Sequence, residues 1–196
     1  LILAGTQEAR QAITAMSRLR TISITASLAG ATRRPNPLGV VMRIGGFGGD
    51  NGFREYLSTR KIDAVLDATH PFAHRISMRS ATICEDMDVP YLQLLRDSWR
   101  PGPDDTWHFL HSPEDATRFI PEGARVFLAT GRQTLPQFEG ISDRTLFCRL
   151  IDPPREPFPY PKGDYVVGRP PFQATSEMAL FRQLEIDWLV MKNSGG

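Results

Sequence analysis

The 196-residue chain sets 23 Lys and Arg against 22 Asp and Glu, a formal net charge of +1, with 41% hydrophobic and 23% charged residues. That balance is ordinary for a globular protein and gives no overall field to draw in nucleic acid or a membrane surface. No apolar run reaches the length of about 18 residues that a membrane span needs, and no basic segment, apolar core and cleavage site open the chain.

Cys84 and Cys148 lie far apart within apolar runs. They are expected as buried free thiols of a cytoplasmic protein. The chain opens on a strand-like run without Met and stops after a strand, where an α/β unit normally continues into a helix. The natural protein is therefore expected to extend further, chiefly at its C-terminal end.

LILA (1–4) reads as a strand that passes through GTQEAR into a helix, with Ala9, Ala12, Ile13, Met16 and Leu19 at helical spacing. TISITASLA (21–29) alternates as a strand, a proline-containing loop follows, and VVMRI (40–44) is again strand-like. GGFGGDNG (45–52) is a glycine-rich loop before a short helix, FREYLSTRK. DAVLDA (63–68) is a buried strand, residues 73–87 a helix, and VPYLQLL (89–95) a strand. RDSWRPGPDDTW (96–107) breaks the alternation with two prolines and a glycine. The second half resumes it: WHFLHS as a strand, PEDATRFI as a helix, ARVFLAT (124–130) as a strand, GRQTLPQF as a short helix, and RTLFCRLI (144–151) as a strand. After a proline-rich loop come YVVG as a strand, ATSEMALFRQL as a helix, and IDWLVMKNSGG as a strand running into a turn.

Strands alternating with helices imply parallel pairing and right-handed crossovers. The expected fold is α/β: two Rossmann-like domains with mainly parallel sheets facing each other across a cleft. Residues 1–97 would form the first, 98–106 a linker and 107–196 the second. Ligands of such sheets bind outside the carboxyl ends of the strands, and the polar and glycine-rich clusters fall there.

Gly5 and Thr6 stand between a strand and a helix, where backbone N–H groups favour an anion. The turn lacks the G-x-G-x-x-G pattern, so an ordinary tight turn also satisfies it. From Ala9 to Gly49 there is no Asp or Glu, yet Arg10, Arg18, Arg20, Arg33, Arg34 and Arg43 are present. NAD-binding domains carry an acidic residue about 20 residues past the glycine turn; here Ser27, Arg33 and Arg34 stand instead. If a dinucleotide binds, a 2′-phosphate is favoured; an acidic substrate or a solvated basic face would also suit the arginines.

Gly45, Gly46, Gly48 and Gly49 allow a flexible loop or close approach to a ligand. His70, between Thr69 and Pro71 at a strand end, reads as a structural histidine or a site residue. His74 follows it, but no cysteine or carboxylate pair completes a metal site, and none is expected. Thr130-Gly131-Arg132, Gly168-Arg169 and Lys192-Asn193-Ser194 each set a cation beside small residues at a strand end, which suits a ligand with several carboxylates.

LILAGTQEAR, RIGGFGG, DATHPFA, FLATGRQTL and VMKNSGG, in this order, resemble the precorrin-6A reductases of cobalamin biosynthesis over nearly the whole chain. Ala4 stands where a glycine is common. The resemblance implies an NADPH-dependent oxidoreductase that passes hydride to a double bond in ring D of precorrin-6A. It assigns Gly5, Thr6, Glu8 and Ala9 to the cofactor turn, and Ser27, Arg33 and Arg34 to the adenosine phosphate. Gly45, Gly46 and Phe47 would cover the cofactor. Thr69 would lie near the nicotinamide with His70, the catalytic residue, orienting it. Thr130, Gly131, Arg132, Arg169, Lys192, Asn193 and Ser194 would face the substrate. The alternatives are an NADP-dependent reductase of another polyanion, the cobalt-containing substrate included, and a two-domain anion-binding protein without chemistry. Neither nucleic acid nor membrane is an expected partner, and a monomer is compatible with the pattern.

Overall fold

The structure, a computed structural model, describes residues 1–30 and 36–195. It divides into two compact units, Leu1–Trp99 with the returning Ser194 and Gly195, and Arg100–Asn193. Ser194 and Gly195, expected in the second domain, thus pack with the first.

The first unit is built on five parallel strands, β1 (Ile2–Leu3), β2 (Thr25–Leu28), β3 (Val41–Ile44), β4 (Val65–Asp67) and β5 (Tyr91–Gln93), in the order β3-β2-β1-β4-β5. The chain reverses its direction of travel at β1, between β2 and β4, which is where such sheets open a crevice for ligands. Helix α1 (Gln7–Met16) buries Ala9 and Ile13 against Ile2, Ala26 and Ala68 on one face. Helices α2 (Gly49–Thr59) and α3 (His74–Asp86) cover the other, placing Phe53, Leu57, Ile83 and Cys84 against Leu3 and Val65. Burying Phe53 or Leu57 contributes about 2 kcal/mol each from the apolar area removed from water.

Helix α2 starts earlier than the sequence suggested, because the second half of the glycine-rich run is its first turn. Gly52 is required there: a Cβ on it would stand 1.8 Å from the Phe47 carbonyl oxygen.

The second unit has four parallel strands, β6 (Arg125–Leu128), β7 (Thr145–Leu150), β8 (Gly163–Val167) and β9 (Trp188–Val190), in the order β8-β7-β6-β9. Numbered from β6, this is the first four-strand order of the other sheet, so the shared alternation reflects a shared topology. Val126, Leu128, Leu146 and Cys148 pack under Leu135, Phe138 and Ile141. Helix α4 (Ala174–Gln183) precedes β9.

Three expectations change. WHFLHS is not a strand: Trp107 and Phe109 are exposed and the segment makes no ladder, although His108 stacks on Phe119. Alternation marks the face a strand would use but does not supply an edge to pair with. The two short helices before β6 and β7 are 3₁₀ segments, Pro113–Arg118 and Arg132–Ile141. Pro113 opens the first and Pro136 lies inside the second, where its missing N–H and ring prevent a regular α-helical ladder.

Candidate active site

The residues at the carboxyl ends of β1, β2, β3, β4 and β5 form a rim on the first unit. At β1, Gly5 takes φ +146 and Thr6 caps α1. The Thr6 hydroxyl accepts the Ala9 N–H at 3.1 Å and donates to the Ala68 carbonyl at 2.8 Å, tying the turn to the end of β4. Ala9, expected in the cofactor turn, spends its amide on this cap and its side chain on the core. Glu8 lies in the first turn of α1, 3.3 Å from the Arg96 guanidinium beyond β5. Burial alone would raise the Glu8 pKa, but its own backbone amide and the Arg96 charge outweigh that and hold it below the ordinary value. The pairing matters because an uncompensated carboxylate at a helix start would repel an anion drawn to the same place.

Arg96 also donates from Nε to the Ser194 carbonyl at 2.6 Å and from Nη2 to the Ser194 hydroxyl at 3.3 Å. Gly195 follows at φ +70, and a Cβ there would stand 1.8 Å from the Asp97 carbonyl oxygen. The returning segment is therefore seated on Arg96 and Asp97, which sets Ser194, expected among the substrate-facing residues, beside the Glu8–Arg96 pair.

At the ends of β2 and β3, Ser27 is 5% exposed and accepts a hydrogen bond from Arg43 Nη1 at 2.7 Å. Arg43 Nη2 donates to the Gly46 carbonyl at 2.9 Å, and its carbon centre lies 3.8 Å from the Phe47 ring and 5.2 Å from that of Tyr56. Phe47 packs edge-on against Phe53 and Tyr56. Gly45 and Gly46, by contrast, have open space where a Cβ would project. Arg33 and Arg34 lie outside the described residues.

At the end of β4, Asp67 is a carboxylate only 1% exposed. Its Oδ1 accepts from the Thr69 N–H at 3.0 Å and the Thr69 hydroxyl at 2.7 Å, and its Oδ2 accepts from the Tyr91 hydroxyl at 2.8 Å. Burial, followed by the Asp67 hydrogen bond and charge, raises the Tyr91 pKa well beyond that of a free phenol, so Tyr91 remains a donor. This network fixes the turn leading to His70, whose Nδ1 accepts the Phe72 N–H at 3.2 Å. Sequence reading did not single out Asp67, Tyr91 or Arg96, and it named Arg43 only among the arginines of the acid-free stretch. A carboxylate closing an apolar strand was the one signal that marked Asp67.

In the second unit, Gly131 (φ +83) opens the segment Arg132–Ile141, and Thr130 Oγ1 is buried without a hydrogen-bond partner among the described residues. Arg132 pairs with Glu156 at 2.6 Å and Arg169 with Asp152, so both cations are held by acids of the proline-rich loop. Lys192 and Asn193 follow β9, at the unit's boundary. Among the described residues no three His, Cys, Asp or Glu side chains gather as a metal site, and no helix is long and apolar enough to cross a membrane.

On the first unit the donor set fits a phosphate-bearing dinucleotide: an open glycine turn at a helix start, a hydroxyl and a cation at the ends of β2 and β3, and a fixed polar turn at β4.

Residues 1–196 match the family model described as precorrin-6x reductase CbiJ/CobK. The precorrin-6A reductase of Rhodococcus erythropolis is 40% identical over 198 residues, covering 100% of this chain and 79% of that protein. That of Sinorhizobium sp. is 38% identical over 197 residues, covering 100% and 76%. A solved structure described as CobK precorrin-6A reductase matches with a TM-score of 0.94 at 34% identity, over 100% of this chain and 78% of that one.

Proposed function

The chain belongs to the precorrin-6x reductase family, and from that premise we propose that it reduces precorrin-6A in cobalamin biosynthesis with hydride drawn from NADPH. It is an oxidoreductase acting on a ring carbon–carbon double bond, the activity carried by relatives at 40% identity. The observation that carries the reading is the match of the entire chain to a solved precorrin-6A reductase at a TM-score of 0.94.

Bound NADPH supplies the hydride, from its nicotinamide. The protein's task is then placement more than strong acid or base chemistry. The Gly5–Thr6 turn and the start of α1 receive phosphate, and Arg96 keeps the Glu8 carboxylate from opposing it. Ser27 meets the adenosine end, and Arg33 and Arg34 are assigned to its phosphate by their place in the sequence. Gly45, Gly46 and Phe47 flank the cofactor. Thr69, fixed by Asp67, and His70, held by the Phe72 N–H, orient the nicotinamide.

Thr130, Arg132, Arg169, Lys192 and Asn193 serve the substrate. Its acetate and propionate arms match guanidinium forks, and these cations steady the changing charge of the macrocycle. The ring D double bond receives the hydride. The cytoplasm, where reduced nicotinamide is available, is the proposed location.

The test is anaerobic incubation of the purified protein with precorrin-6A and either NADPH or NADH, followed by absorbance. The reading expects loss of the NADPH band with a shifted macrocycle spectrum, and far slower loss of NADH. NADPH binding without oxidation would refute the substrate, and absence of binding would refute the cofactor.

A further inference from the structure

We propose that Arg43 is the fixed donor that reads the 2′-phosphate of the cofactor, an inference that rests on the NADPH reading above. Ser27 and Arg43 are direct partners in the parallel register of β2 and β3, so their side chains leave the same face of the sheet near its carboxyl edge. This is the rim where dinucleotide-binding sheets distinguish a ribose hydroxyl from a phosphate, a carboxylate serving the first and an arginine the second.

Arg43 is held there in one orientation. The Ser27 hydroxyl seats Nη1, the Gly46 carbonyl seats Nη2, and the Phe47 and Tyr56 rings pack against the guanidinium. Those partners are all neutral. Among the described residues no carboxylate pairs with Arg43, and the chain from Ala9 to Gly49 contains none. A half-buried guanidinium with only neutral partners keeps its positive charge uncompensated, and its remaining N–H groups are available to an anion. The aromatic faces offset part of the cost of desolvating the cation without neutralising it. A phosphate completes the set: it supplies the missing charge and accepts from a planar fork already immobilised. The Gly46 contact also ties the glycine-rich loop to the reader, so phosphate recognition and placement of that loop are one event.

Calorimetric titration of the wild type, R43M, R43K and S27A with NADPH, NADH and 2′,5′-ADP tests this. R43M keeps the apolar stem and loses the charge. It is expected to weaken NADPH and 2′,5′-ADP by about 10- to 100-fold and to leave NADH within about twofold. R43K, with charge but no fork, is expected to recover part of that loss. S27A retains the cation and removes one seat, so it should lose a smaller, NADPH-selective factor, and it decides the matter if R43M does not fold. Equal losses for NADPH and NADH, or no loss while the wild type still prefers NADPH, would overturn the role of Arg43. Equal wild-type affinity for the two cofactors would overturn the NADPH reading itself.

Discussion

Replacing Asp67 by Asn tests whether a buried carboxylate holds the turn that carries Thr69 and His70. Asp67 Oδ1 accepts two hydrogen bonds from Thr69 and Oδ2 accepts one from Tyr91, at a site 1% exposed. An asparagine keeps a carbonyl for Thr69 but turns an amide toward the Tyr91 hydroxyl, which must then donate to the Ser77 carbonyl, 3.3 Å away. The variant loses one buried hydrogen bond to a charged acceptor and weakens two others, a cost of about 1.5–3 kcal/mol. For a unit of this size, each kcal/mol lowers the melting temperature by about 4–8 °C, so a fall on the order of 10 °C is expected. Loosening the turn should also slow hydride transfer by about 10- to 100-fold, because small displacements of orienting groups are costly, with little change in NADPH affinity. Thermal melts by circular dichroism and anaerobic single-turnover absorbance give the two readouts. A variant that melts and turns over like the wild type would refute the account of this network.

Four further outcomes are expected. His70→Ala should slow hydride transfer, and unchanged NADPH affinity together with an unchanged rate would remove His70 from the site. Gly195→Ala, whose Cβ would collide with the Asp97 carbonyl, should release the returning segment from Arg96; limited proteolysis would then cut near residues 193–195 far faster than in the wild type. The lowered pKa of Glu8 contributes stability above its unfolded value of 4.5 that is lost as pH falls through the lower folded one. Melts of Glu8→Gln against pH should therefore be flatter than wild type on the acid side and converge with it at the lowest pH. Burial pushes the Cys148 thiol up to about 11 and raises that of Cys84. Both should resist a thiol reagent at pH 8 until the protein is denatured, and any stability from the protonated Cys148 falls as pH rises above its unfolded value of 9.0 and is gone beyond about 11.

The alternation of strands and helices was legible because apolar periodicity is a local property, and it placed Thr6, Ser27, Thr69 and Arg132 at strand ends. What it could not reveal was which side chains meet across a sheet. The register pairs Arg43 with Ser27, Ser27 with Leu3, and Leu3 with Asp67, one row across four strands whose members run from residue 3 to residue 67. No spacing rule finds that row. Arg96 was hidden for a similar reason: it opens the segment that breaks the strand–helix alternation, whereas its partners, Glu8 and Ser194, are 88 and 98 residues away. WHFLHS erred in the opposite direction, carrying the right alternation without a neighbouring strand to pair with.

The most direct test of the central claim follows the hydrogen itself. Precorrin-6A should be reduced anaerobically by the purified protein with NADPH deuterated at either face of nicotinamide C4, and the product analysed by mass spectrometry. Hydride transfer predicts one deuterium in the product from one of the two labelled cofactors and none from the other. A reduced product free of deuterium from both would contradict the account.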